Sequence, residues 1–268
     1  MKLKGGNRGS GSGNREFGIR GERRNPHSAF YNLQSTIYNQ QSTINKRAVC
    51  LISGGLDSCV TAAIAKKRGY EIYALSFDYG QRHKKQLESA KAVAKALRAA
   101  GHKTIKLDLR QIGGSALTDS KIGVPERGAE GIGGDIPATY VPARNTIFLS
   151  VALGYAEVIG ARAIFIGAND QDYSGYPDCR PEYFGAFRRL ARLATKCSVE
   201  GQPIKIETPI IHLKKKDIVR KGMELGAPLH LTWSCYKGGK KACGKCDSCL
   251  LRLKGFKEAG IKDPVEYE

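Results

Sequence analysis

Ala48-Val49-Cys50-Leu51-Ile52, running straight into Ser53-Gly54-Gly55-Leu56-Asp57-Ser58, decides how the rest of the chain reads. Five apolar residues in succession make a short buried strand rather than a half-exposed one, which would alternate. The two adjacent glycines let the backbone turn tightly and approach a ligand closely. A helix follows, through about residue 68, so the loop N–H groups and the helix dipole converge on one point. That point is an anion site. Ser53 and Ser58 can add hydroxyl donors, and Asp57 can help hold the Mg²⁺ that accompanies a nucleotide. The loop is not a Walker A loop, because no Gly-Lys-Ser/Thr follows, and it lacks the three-glycine spacing of a dinucleotide fold. The plain alternative is an ordinary strand-to-helix turn with Asp or Ser as cap.

Outward from this loop, short apolar runs alternate with amphipathic stretches. Strands are expected over 48–52, 72–77, 103–109, 163–167 and 204–208, and helices over 84–100, 146–159, 182–195 and 216–225. Residues 112–137 are glycine-rich without periodicity and read as a long loop or lid. This alternation specifies a doubly wound parallel α/β sheet, whose ligands bind beyond the carboxyl ends of the strands. Residues 1–46 differ in kind. They open on a Gly/Ser run, turn Arg-rich and nearly repeat Gln-Ser-Thr-Ile at positions 34 and 41, so they bury too little apolar area to fold and read as a disordered extension. The expected division is thus 1–46 extension, 47–230 α/β domain, and 231–268 cysteine-bearing segment.

The net charge of +19 suits polyanionic partners. Residues 1–47 carry nine Lys or Arg and two Glu, which leaves +12 on the remainder. ATP and pyrophosphate are polyanions as much as RNA is, so charge does not choose between them. No window has the length and apolarity of a membrane span and no secretory h-region follows the N-terminus, so the cytoplasm is expected.

Other clusters fall where strands are expected to end. Asp78-Tyr-Gly-Gln-Arg-His83 follows the second strand. Tyr140-Val-Pro-Ala-Arg144-Asn145 precedes a helix, and Arg144 suits bidentate recognition of phosphate or carboxylate. Residues 169–180 hold three carboxylates, two tyrosines and Arg180, a wall suited to a planar heterocycle. Cys179 lies there too, without a visible activating partner. Near the C-terminus, Cys235 and the run Cys243-x-x-Cys246-x-x-Cys249 fit a closed tetrahedral Zn²⁺ site. An iron–sulfur cluster is the rival, since it uses similar spacing. All-sulfur coordination leaves no open position, so one structural zinc per chain is expected, anchoring a tail helix over 248–259.

Ser-Gly-Gly-x-Asp-Ser resembles the pyrophosphate loop of the ATP pyrophosphatases. Adding residues 78–83, 140–145, 172–180, Glu207-Thr208-Pro209, Thr232-Trp233-Ser234-Cys235-Tyr236 and Cys243 to Cys249, the chain resembles the 7-cyano-7-deazaguanine synthases of queuosine and archaeosine biosynthesis. The likeness runs from residue 48 almost to the end, with no counterpart for 1–46. It implies an adenine nucleotide α-hydrolase-like sheet, with nucleotide bound at Ile52, Ser53, Gly54, Gly55, Leu56, Asp57, Ser58, Cys59 and Val60. Asp57, Ser58 and Arg144 are the expected catalytic residues. The implied substrates are 7-carboxy-7-deazaguanine, ammonia and two ATP with Mg²⁺, with no obligatory nucleic acid and a homodimer as the assembly to test. Two rival readings are a pyrophosphatase that modifies tRNA directly and a zinc-bearing nucleotide- or RNA-binding module without catalysis.

Overall fold

In the computed structural model, residues 46–124, 136–171 and 175–268 are described, and five strands form one parallel sheet in the order β3-β2-β1-β4-β5. β1 (Arg47–Leu51) feeds α1 (Leu56–Lys67), β2 (Glu71–Asp78) feeds α2 (Lys85–Ala96), and β3 (Gly101–Lys106) closes that edge. The chain then returns past β1 through α3 (Arg144–Val158), β4 (Ala163–Phe165), α4 (Pro181–Ala194), the one-turn α5 (Lys196–Val199) and β5 (Lys205–Glu207). α6 (Lys215–Glu224) and α7 (Asp247–Ala259) complete it. This is the doubly wound α/β class that the alternation specifies.

The central strands β1 and β4 are apolar because both faces of the sheet are covered there, while edge strand β3 is largely exposed. Ala48, Cys50 and Ile52 join Ile72, Ala74, Ala163 and Phe165 against α1, α2 and α6. Val49, Leu51, Leu75, Phe77 and Ile164 face the opposite way, toward α3 and α4. Register sets this division, since Ala48 pairs with Ile72 and Ala163, and Val49 pairs with Tyr73 and Ile164. A one-residue slip would exchange the two faces. Each fully buried large side chain, Phe165 and Phe184 among them, contributes roughly 1.5–3 kcal/mol.

Most expected elements lie within two residues of their observed bounds. The second helix ends at Ala96 rather than 100, because Arg98 turns left-handed (φ 54°) to enter the next strand. The third strand spans Gly101–Lys106 instead of 103–109. Its pairing with β2, from Tyr73–Gly101 to Asp78–Lys106, fixes the span. The apolar alternation Ile105, Leu107, Leu109 drew the sequence reading past the strand, because Leu107 and Leu109 reach the core from the following turn. Residues 112–124 form turns, whereas the extension over 1–45, the centre of the loop over 125–135, and Asp172, Tyr173 and Ser174 lie outside the described residues. Among the described residues no helix is long and apolar enough to cross a membrane.

The strand order reverses between β1 and β4, which opens a crevice at their carboxyl ends. There the chain after β4 passes so close to the glycine loop that a Cβ on Gly167 would sit 2.9 Å from the Asp57 carbonyl carbon and the Ser58 nitrogen. Only glycine permits that approach.

Candidate functional site

The glycine loop forms one side of a cleft of about 300 Å³ at this reversal point. Gly54 has φ 88°, and a side chain there would drive into the Gln86 carbonyl of α2. Gly55 starts α1 without any side-chain cap, so the first-turn N–H groups, which no helix satisfies internally, are left for a ligand. The serines close the loop rather than project from it. Ser58 Oγ donates to the Gly55 carbonyl (3.0 Å) and accepts from Ser53 N–H (3.2 Å), while Ser53 Oγ accepts from Gly55 N–H (3.3 Å). Backbone donors, more than hydroxyls, therefore present the anion site.

Asp57 does not stand alone. Lys215 Nζ, in the first turn of α6, donates to both of its carboxylate oxygens at 2.9 Å. Both side chains are largely enclosed, at 14% and 28% exposure for Lys215 and Asp57. The loop that has no lysine of its own thus receives one from 158 residues away. Asn169, just beyond β4, braces that approach by donating to the carbonyls of Ile210 (3.1 Å) and Leu213 (2.5 Å), in the turn leading to Lys215.

Across the cleft, Arg144 opens α3 behind Ala143, which sits in the left-handed region at φ 53°. Its guanidinium forms no ion pair with any described residue. Burial works against its charge, but Tyr79, Tyr176, Cys179 and Asp178 around it outweigh that and hold the guanidinium above its ordinary range. Asp178 is itself buried and accepts from Asn145 N–H (2.9 Å), and burial pushes its carboxyl up toward the neutral form. Arg144 therefore stays a firmly charged guanidinium with no carboxylate in salt-bridge contact among the described residues. Tyr79, Phe148 and Tyr176 line the same side, with Phe148 stacked on Phe77 at 3.9 Å and nearly parallel.

The placement of the expected residues is mixed. Ile52, Ser53, Gly55, Leu56, Asp57, Ser58 and Arg144 line the cleft. Gly54 lies behind it against α2, and Cys59 and Val60 are fully buried in the core with their side chains turned from it. In the wall over 169–180, Asn169, Tyr176 and Cys179 face the cleft, whereas Asp170 bonds His212 (3.1 Å) and Asp178 caps α3. Arg82 is spent on carbonyls of Ala116 (2.6 Å) and Asp119 (3.1 Å), which pins the loop after β3. Burial pushes the Cys179 thiol up to about 11, which excludes a ready nucleophile. Lys215 escaped the sequence reading. Its usable signal was position, the first helical residue after the last strand.

The four cysteines do converge. Cys235, Cys243, Cys246 and Cys249 are buried, with all four sulfurs within 4.8 Å of one another. Tetrahedral thiolates at about 2.3 Å from a metal would lie roughly 3.8 Å apart, and Cys243 Sγ and Cys249 Sγ are 3.9 Å apart. Backbone N–H groups of Lys237 and Cys243 donate to Cys235 Sγ (3.3 and 3.4 Å), as thiolate ligands require. Hydrogen bonds from Cys246 and Cys249 pull Cys235 well below the ordinary thiol range, and the same contact pushes Cys246 up to about 11. So crowded a set of sulfurs suits one small cation. A four-iron cluster would put each thiolate on a different iron and spread the sulfurs further.

A family model described as queuosine biosynthesis protein QueC matches residues 47–260. A 7-cyano-7-deazaguanine synthase from Saccharophagus degradans is 59% identical over 225 residues, covering 83% of this chain and 98% of its own length. Another, from Desulfitobacterium hafniense, is 58% identical over 222 residues, 83% of this chain and 93% of the relative. One from Picrophilus torridus is 60% identical over 222 residues, 83% and 92%. A solved NMN synthetase from Francisella tularensis aligns over 89% of this chain and 88% of its own, at TM-score 0.41 and 15% identity.

Proposed function

The chain belongs to the queuosine biosynthesis QueC family, and from that premise we propose that it converts 7-carboxy-7-deazaguanine, ammonia and ATP into 7-cyano-7-deazaguanine, AMP and pyrophosphate. The observation that carries this reading is one cleft with two anion receivers, the uncapped α1 N-terminus on one side and Arg144, outside any ion pair among the described residues, on the other. An enzyme that transfers AMP from ATP to a carboxylate, releasing pyrophosphate, needs both.

A carboxylate is a poor acyl donor until one oxygen becomes a good leaving group. Attack of that oxygen on the α-phosphorus of ATP expels pyrophosphate and forms the acyl adenylate. The first-turn N–H groups of α1 stabilise charge gathering on the departing pyrophosphate, a preorganised electrostatic effect. Mg²⁺ supplies charge neutralisation on the phosphates when bound. Asp57 would help hold that ion, and on giving up Lys215 would turn the lysine toward pyrophosphate. Arg144 orients the substrate carboxylate, with Phe148 and Tyr176 offering aromatic surface to its ring. Ammonia then displaces AMP to give the amide. Adenylating the amide oxygen, followed by loss of AMP and a proton, leaves the nitrile. No covalent nucleophile enters, which agrees with the protonated Cys179.

The four cysteines would hold one zinc, whose chemistry at a closed all-sulfur site is structural. Ser58, bonded inside the loop, keeps its shape. No polynucleotide is required, and the cytoplasm is the compartment that such a small-molecule synthase fits.

Mass spectrometry of a mixture of the chain with 7-carboxy-7-deazaguanine, ATP, Mg²⁺ and ammonium is expected to find the nitrile, AMP and pyrophosphate. AMP formation that depends on added tRNA, with no nitrile, would instead point to direct tRNA modification.

A further inference from the structure

Two residues separate a metal ligand from the glycine loop. Trp233 N–H donates to the Gly54 carbonyl at 2.8 Å, and Cys235 is one of the four clustered sulfurs. The short segment between them is held along its length. Trp233 Nε1 donates to the Cys235 carbonyl at 3.0 Å, locking the indole to the ligand's own backbone. Thr232 Oγ1 donates to the Leu229 carbonyl and accepts from Arg252 Nη1, both at 2.7 Å. Arg252 is in turn fixed by Asp263 at 2.7 and 2.9 Å. On the other side His83, from the turn after β2, packs tightly against Gly238. Trp233, Thr232 and Cys235 are all buried, so solvent cannot replace these contacts cheaply.

We propose that residues 232–235 act as a strap that transmits metal occupancy at the four cysteines to the geometry of the glycine loop, with Trp233 as the positioning residue. Gly54 makes its tight turn at φ 88° with its carbonyl held by Trp233, and the N–H groups beyond it converge on the anion only while that turn keeps its shape. Losing the cation removes what gathers four sulfurs onto Cys235, slackens the strap and frees the Gly54 carbonyl. Nucleotide affinity then falls ahead of the global fold. The metal is thereby a structural element of the active site itself, beyond anchoring the tail. This inference rests on the glycine loop being the nucleotide site.

Trp233 is the only tryptophan in the chain, so its emission reports on the strap. A non-hydrolysable ATP analogue with Mg²⁺ is titrated by calorimetry into the metal-loaded full chain and into chain stripped by a chelator selective for thiophilic ions. Circular dichroism checks the fold. Stripping is expected to raise the analogue Kd about tenfold, the value of one hydrogen bond's geometry. It should also red-shift Trp233 emission, with secondary structure kept. Trp233→Phe removes the Nε1 bond but leaves all four sulfurs. It is expected to hold one metal per chain and melt within a few degrees of the parent, yet bind the analogue severalfold more weakly. A stripped, folded chain with unchanged Kd overturns the strap. If stripping unfolds the chain, Trp233→Phe decides, and full metal content with unaltered affinity overturns it equally. Failure of the loaded parent to bind the analogue at all would instead sink the reading of the loop as the nucleotide site.

Discussion

Lys215 and Asp57 meet across most of the chain, and only the fold could have joined them. In sequence Lys215 is the middle of three lysines, 214–216, which look like a solvated basic run. Asp57, by contrast, was legible at once, because a glycine pair after a buried strand leaves few roles for the next carboxylate. Under the proposed function, the charge they share through these 2.9 Å contacts changes partners when nucleotide binds. Lys215→Ala is therefore expected to lower kcat/KM for ATP on the order of 10²-fold, the scale of one lost preorganised charge. Melting temperature should move little, and Lys215→Arg should recover part of the loss. Steady-state kinetics with circular dichroism check both. Cys179 gives the opposite expectation. Burial comes first among the causes that raise its thiol to about 11, so it ionises only as pH climbs toward that value. At pH 8 about one thiol in a thousand is thiolate. Iodoacetamide at pH 8 should leave Cys179 unmodified in folded protein, by peptide mapping, and Cys179→Ser should keep turnover within a few-fold.

At the scale of elements, legibility followed burial. β1, α1, α3 and α4 were readable because each has one environment along its length, two-sided for the strand and one-sided for α4, where Phe184, Phe187 and Ala191 are buried and Arg189 and Arg192 exposed. Edge strand β3 was misplaced because its exposed residues carry no period. The cysteines point to one anchor of the tail, but nothing in the sequence singles out the ion pair that also holds it. Arg252 and Asp263 are exposed by only 3% and 5%, and Asp263 additionally accepts from Val265 N–H (3.0 Å) and Tyr267 Oη–H (2.6 Å). Asp263→Ala leaves a buried guanidinium unpaired, which is expected to destabilise the fold by about 3–5 kcal/mol in urea unfolding. A loss under about 1 kcal/mol would mean the pair is solvated and the tail independent of it. Gly54→Ala tests the loop in the same way. With φ at 88° and the Gln86 carbonyl in its path, the methyl group should force α2 and the loop apart. Nucleotide binding should suffer more than stability, by calorimetry against thermal melting.

Across the whole molecule, residues 47–260 match the family model, and a relative 98% covered spans 225 residues. The chain beginning at Arg47 is accordingly expected to fold and turn over like the full chain, and an insoluble or inactive truncation would give the first residues a part in the core. The fold sets the glycine loop at the β1–β4 reversal across one cleft from Arg144 and the aromatic rings of Phe148 and Tyr176. In the proposed reaction this arrangement adenylates the substrate's oxygen, and the atoms themselves can be followed. Prepared with ¹⁸O in both carboxylate oxygens and mixed with ATP and ammonium, 7-carboxy-7-deazaguanine should lose one oxygen to AMP on forming the amide and the other on forming the nitrile. Mass spectrometry should then find two AMP per nitrile, each carrying one ¹⁸O, and unlabelled pyrophosphate. Label in water or in inorganic phosphate, or ADP in place of AMP, would contradict the account.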